Sequence, residues 1–122
     1  MLDRVERWDT GGIVCGTARH LDPANPLRHA GRLPAVAGIE FCLQAAAVHG
    51  GMLAGAAQRP GYVASLRAVA LHVDRLDDPA LAWLIVEATR EAQEVAGMSY
   101  ALTLRSGTRV LLSGRALIKL PA

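Results

Sequence analysis

The 122-residue chain is 52% hydrophobic and 20% charged, with a net charge of only +2. That balance excludes a disordered tail. The absence of basic runs and aromatic platforms excludes a nucleic-acid reader, and no apolar run approaches the roughly 18 residues that span a bilayer.

The length suits one domain over residues 1–122 with one core. Aromatics are only 4%, so Ala, Val, Leu and Gly must do the packing. The start, "MLDRVERWDTGG", is charged and lacks a signal-peptide core, which points to a cytoplasmic location. Within it, Val5 to Trp8 forms a strand fragment. "GGIVCGTAR" (11–19), rich in small and β-branched residues after a Gly-Gly turn, reads as a strand. Next comes "HLDPANPLRHAGRLPAVAG" (20–38), with three prolines and few core residues, the longest irregular stretch. Long ordered loops in compact domains usually carry function.

From about Val36 to Ala57 the chain is Ala-rich and free of proline, and reads as a helix. Its hydrophobicity runs nearly all the way round, so most of its sides must be enclosed. Small residues at Gly50, Gly51, Ala54 and Gly55 would let a sheet approach it closely. Four strands follow. They are "YVASLRAVALHV" (62–73), the first two-thirds of "LAWLIVEATREAQEV" (81–95), "MSYALTLRS" (98–106) and "RVLLSGRALIKL" (109–120). Asp78-Pro79 starts one reversal and Ser106-Gly107-Thr108 makes a hairpin. In the third of these strands Met98, Tyr100, Leu102 and Leu104 share a face, with Ser99, Thr103 and Arg105 on the other. The order gives an α+β fold, a curled antiparallel sheet wrapped around one long central helix.

Glu40 and Gln44 stand out in that helix, one turn apart on one face. Read without relatives, Glu40 is either a helix-dipole partner pointing to water or a site carboxylate. The apolar flanks "AGI" and "FCL" favour the second. Cys15 and Cys42 read as buried reduced thiols. No set of His, Cys, Asp or Glu has metal-ligand spacing, so neither a metal nor a cofactor is expected. His49 reads as a dimer or packing residue, and His72 as a structural residue of a strand. Arg67, Arg75 and Arg105 could meet an anionic partner, though single surface arginines are commonly just solvated.

The element order, with "GRLPAVAGIEFCLQAAAVHG" at the loop-to-helix junction, resembles the hotdog-fold β-hydroxyacyl-[acyl-carrier-protein] dehydratases, and within them the ApeP-like branch of aryl polyene clusters. "LDRVERWD" looks like the family's opening strand, "DPANPLR" and "GRLPAVAGIE" like its active-site loop, and "GYVASLRAV" and "LLSGRALIKL" like its later strands. Relatives usually carry a Pro-His-containing segment ahead of this opening, and Met1 falls inside it, so a truncated or re-annotated start is expected.

The resemblance implies a dehydratase of fatty acid or aryl polyene-type synthesis. Its substrate would be a β-hydroxyacyl thioester held by phosphopantetheine on an acyl carrier protein. It further implies a carboxylate on the helix paired with a loop histidine across a dimer of hotdog subunits. Glu40 matches the carboxylate, Gln44 the glutamine one turn later, and Gly38 the glycine at the helix entrance. N–H groups near Gly38 and Ile39 would then polarise the thioester carbonyl. The histidine is His29 or His20: the usual His-Phe-Pro-Gly reads "HAGR" at His29, and the loop to Glu40 is three residues shorter than in those enzymes. In the ApeP-like branch the loop histidine is often displaced or missing. The alternatives are therefore a catalytically incomplete subunit of a heteromeric dehydratase, completed by a related hotdog chain, and a hotdog acyl thioesterase using the same acidic residue.

Overall fold

The computed structural model describes residues 2–54, 62–94 and 97–119. Strands β1 (Arg4–Asp9) and β2 (Gly12–Thr17) form a hairpin, followed by short 3-10 turns at Arg19–Leu21 and Ala35–Ala37. Helix α1 (Gly38–Ala54) comes next, and then β3 (Tyr62–Leu71), β4 (Leu84–Glu94), β5 (Gly97–Ser106) and β6 (Arg109–Lys119). All pairings are antiparallel, in the order β1-β2-β4-β5-β6-β3. This is the α+β hotdog arrangement expected from the sequence. Residues 55–57, 95 and 120, at the expected ends of the helix and two strands, lie outside the described residues.

Helix α1 lies in the concavity of the sheet, packed on β2, β4, β5 and β6. Phe41, Cys42, Ala45 and Ala46 form its inner face, each at most 1% exposed. They meet Met98, Tyr100, Leu102 and Leu104, the face expected from the alternation in β5, all buried. Each large apolar side chain so buried contributes roughly 1.5–3 kcal/mol.

The close approach of helix and sheet depends on a glycine other than those expected. A Cβ on Gly51 would meet nothing within 4 Å, and one on Gly50 only Met98 at 3.9 Å. At Gly38, by contrast, a Cβ would stand 2.6 Å from Leu104 Cδ2. The helix therefore presses on the sheet at its start. The tightest backbone approach is at Gly97, where a Cβ would fall on the Ile118 carbonyl oxygen and 3.0 Å from Lys119 Cα. Two paired strands cannot yield there, so Gly97→Ala should destabilise the protein by about 1–3 kcal/mol, measured by urea unfolding.

The expectation that α1 is enclosed on most sides does not hold within one chain. Its outer face is a stripe of Val36 (54% exposed), Ile39, Leu43, Ala47 and Val48 (39% exposed), at helical spacing. Ala35–Leu53 is 19 residues long with a mean hydropathy of 1.3. By length and composition it could cross a bilayer, contrary to the reading of uninterrupted apolar runs. Its inner face instead packs as the core helix of the domain.

Beside this stripe lies β3, the edge strand of the sheet beyond β6. Val63 pairs with Ile118, Leu66 with Ala116 and Leu71 with Leu112, all core positions, so these β3 residues face the concave side. A Cβ on Gly114 would contact Val69, placing that residue on the same side. All four are 39–46% exposed. The opposite edge, β1, is built differently: Arg4, Glu6, Arg7 and Asp9 charge it and a register shift interrupts it. Charge and irregularity are how edges resist unwanted pairing. Strand β1 has both protections; β3 is also interrupted, by register shifts at Val63–Ser65 and Arg67–Ala70, but it presents an apolar face and carries one charged residue, Arg67.

Candidate functional site

Glu40 lies in the first turn of α1 and is exposed, with Gln44 half-buried one turn on. Both sit within the uncovered apolar stripe. No hydrogen bond or ion pair joins the Glu40 carboxylate to another described residue. The carboxylate is therefore neither buried in the chain's own core nor tied to a structural partner. It stands on the face of the helix that the chain leaves open.

The helix entrance also differs from expectation. The 3-10 turn at Ala35–Ala37 runs straight into α1, and the Gly38 N–H bonds back to the Ala35 and Val36 carbonyls. Ala35 N–H donates to Asp74 O at 3.0 Å and Ala37 N–H to Pro34 O at 3.0 Å. The tight turn thus consumes the donor that the sequence left free at Gly38. Ile39 is half-buried at the base of the apolar stripe.

His29 and His20 meet opposite fates. His29 is exposed and opens a two-residue hairpin: its N–H donates to Arg32 O at 2.7 Å, and Arg32 N–H returns to His29 O at 3.0 Å. Ala30 (φ 52°) and Gly31 (φ 77°) both take left-handed backbone, the type I′ pattern. Alanine is costly there, by about 1–2 kcal/mol. Ala30→Gly should therefore stabilise the protein by about 0.5 kcal/mol after the greater freedom of unfolded glycine is subtracted, seen as a higher Tm. Ala-Gly is not a standard I′ pair, which is why the sequence did not show the turn.

His20 is fully buried. A carbonyl can only accept, so its Nε2–H donates to Leu81 O. That bond fixes the neutral tautomer and leaves the lone pair on Nδ1, which is enclosed and has no partner among the described residues. Burial pulls the His20 pKa down, and the Leu81 carbonyl opposes this. The ring is thus held in the form of a base, but behind protein.

Two residues not singled out in the sequence hold this loop in place. Asp77, its side chain 5% exposed, accepts from Arg75 Nε at 2.9 Å and Nη2 at 2.5 Å and from Leu33 N–H at 3.1 Å. Arg28 approaches the same carboxylate at 3.6 Å and donates to Asp22 O at 2.9 Å and to His20 O at 3.4 Å. The loop that carries both candidate histidines and leads to Glu40 is therefore tied to the segment after β3. Nothing in the local sequence marks a lone Asp in "DRLDDPA" as that hub.

His49 proves to be a packing residue. Tyr100 O–H donates to its Nδ1 at 2.7 Å, and its Nε2–H donates to Asp9 O at 2.7 Å, fastening the β1–β2 hairpin to helix and sheet. His72 lies just past β3 and is exposed. Both thiols are buried and free; burial raises the Cys15 pKa and pushes that of Cys42 up to about 12, so neither is a nucleophile. Of Arg67, Arg75 and Arg105, the last two are engaged with Asp77 and Glu87. Among the described residues, no group of three or more His, Cys, Asp or Glu could hold a metal. Two surface grooves, of about 370 and 500 Å³, lie by the β1–β2 hairpin and beside residues 71–81. Neither is lined by Glu40.

The fold is similar to that of a chain in the dehydratase heterocomplex ApeI:P from Xenorhabdus doucetiae, with TM-score 0.84 and 22% identity over 99% of this chain and 82% of that one. It also resembles AziG from S. sahachiroi (TM-score 0.72, 15% identity, 98% and 91% covered). A hypothetical thioesterase from Streptococcus pneumoniae, solved with coenzyme A, gives 0.73 at 13% identity, with 98% and 88% covered. At these identities the likeness establishes the hotdog fold. No curated protein matches the chain. The model of the ApeP-like family, described as ApeP dehydratase, matches residues 1–121. With that match spanning the helix that carries Glu40 and every strand around it, the chain belongs to the ApeP-like dehydratase family.

Proposed function

We propose that this protein supplies one half of a dehydratase site acting on β-hydroxyacyl thioesters carried by an acyl carrier protein, in fatty acid or aryl polyene-type synthesis. The second hotdog subunit completes the site. The observation that carries the reading is the position of Glu40: a carboxylate with no partner of its own, in an apolar stripe that the chain does not cover. A subunit joined at the β3 edge would cover both the concave residues of β3 and the outer face of α1. It would also enclose Glu40 between the two subunits.

In this reaction a base removes the proton next to the thioester carbonyl, and an acid protonates the departing hydroxyl. Glu40 is the acid, and the histidine acting as base comes from the partner subunit. Gln44 orients Glu40 from the next turn, and Ile39 lines the adjoining acyl path. A cytoplasmic setting suits the two unpaired thiols.

A second reading rests on His20. Its Nε2–H is clamped by Leu81 and its Nδ1 lone pair is free, the arrangement of an oriented base. In that case two copies of this chain make a complete enzyme once the loop opens. The two readings differ in a simple assay with a β-hydroxyacyl carrier protein. The composite site predicts that the purified chain is inactive alone and gains enoyl product, and a larger mass, on mixing with a dehydratase encoded beside it. Turnover by the chain alone, lost in His20→Gln without loss of fold by circular dichroism, establishes the second. Release of free thiol with no enoyl product defeats both and indicates a thioesterase.

A further inference from the structure

Across the middle of the sheet, Arg67 of β3 pairs with Arg115 of β6, which pairs with Ala101 of β5. Their neighbours Leu66, Ala116 and Tyr100 face the core, so the arginines point to the convex side. Arg115 is neutralised by Glu91, with Nε–Oε1 at 2.8 Å and Nη2–Oε2 at 3.2 Å. Arg67, exposed at the sheet edge, has no ion pair among the described residues. The convex face of the β3 edge thus carries one uncompensated positive charge, near the centre of a ten-residue strand.

In an antiparallel pair, residues directly opposite one another lie on the same face of the sheet. A two-fold axis relating two copies of β3 must therefore pass through a residue. Register shifts on either side of Leu66 set Val63 and Val69 on the concave face and Ser65 and Arg67 on the convex one, so near the strand centre an axis through Leu66 is the one that keeps like faces opposite. An axis through Leu66 pairs Arg67 with Ser65 of the other copy and leaves the two arginines on the diagonal, about 7–8 Å apart and within reach of long side chains. That register brings like charges together, on a row whose own carboxylate is already engaged.

We propose that Arg67 selects the partner at the β3 edge. It disfavours a second copy of this chain and favours a different hotdog subunit that brings a carboxylate to the same convex row. The inference rests on the β3 interface put forward above, and it gives that partner a chemical requirement. The apolar concave residues make the edge adhesive, and the charge on the other side decides what adheres.

The test mixes equal amounts of the wild-type chain and Arg67→Glu, and counts dimers by native mass spectrometry at low salt. Mixed dimers should exceed the statistical two-to-one-to-one ratio by roughly fivefold, and the excess should fade in 1 M salt. A statistical composition, a predominance of wild-type homodimers, or no dimer of any composition would overturn the proposal. Leu66→Asp in both chains separates its failure from that of the underlying reading. If Leu66→Asp leaves the dimers intact, β3 is not the interface. If it abolishes dimers whose composition was statistical, the edge stands and Arg67 has no selective role.

Discussion

Glu40→Gln is expected to lower enoyl formation by about 10²–10⁴-fold in the assembled enzyme, the usual contribution of a positioned acid or base. Glutamine keeps the shape and hydrogen-bonding reach of the side chain but can neither ionise nor donate an acidic proton. Because Glu40 is exposed and bonded to no described residue, the substitution should leave stability within about 0.5 kcal/mol. Loss of turnover with an unchanged melting curve is therefore the signature of a chemical role. Gln44→Ala, one turn on, should cost much less, since an orienting neighbour contributes through Glu40. Full turnover in Glu40→Gln would defeat the assignment, and a lowered Tm in step with lost activity would make Glu40 structural.

That separation was only partly visible in the sequence. The β5 alternation and the proline-free run from Val36 correctly located the strand faces and the helix, because period-2 and helical patterns survive into structure wherever a face is buried. The all-round hydrophobicity of α1 was also visible, but its meaning was not. It looked like a helix enclosed by its own sheet, whereas the sheet encloses one face and leaves Val36 and Val48 uncovered. A single sequence does not distinguish burial by the chain from burial by a partner, since both demand apolar residues. The loop was harder still. The turn at Ala30-Gly31 rests on a strained backbone angle with no standard residue pair to announce it. Likewise, Gly38 was read as the site of a free N–H donor, whereas that N–H is bonded within the turn and the residue packs tightly against Leu104.

Asp77 is the position whose loss should most damage the framework around Glu40. Its carboxylate, 5% exposed, holds Arg75 at 2.5 Å and the Leu33 N–H at 3.1 Å, with Arg28 at 3.6 Å. Asp77→Asn removes the negative charge and leaves two guanidinium groups facing a neutral amide. Because Arg75 is itself 41% exposed and water screens the pair, the expected cost is about 1–2 kcal/mol, or roughly 5 °C in Tm for a domain of this size. The same carboxylate gives the stability a pH signature. Arg75 foremost, then the Leu33 and Asp77 N–H groups, hold its pKa well below the usual carboxylate range, against the opposing effect of burial. A group whose folded pKa is depressed stabilises the protein above its unfolded value, near 3.9, and that contribution is lost as pH falls below it. Asp3 is lowered as well, by the Ala18 N–H first and Arg19 next, so wild type and variant share that acid loss. The informative quantity is therefore the difference between them. Urea unfolding should show a wide gap at pH 6 that narrows steadily below about pH 4, as wild-type Asp77 takes up its proton. A gap that stays constant down to pH 2 would mean that the charge on Asp77 is not what holds the loop to the sheet.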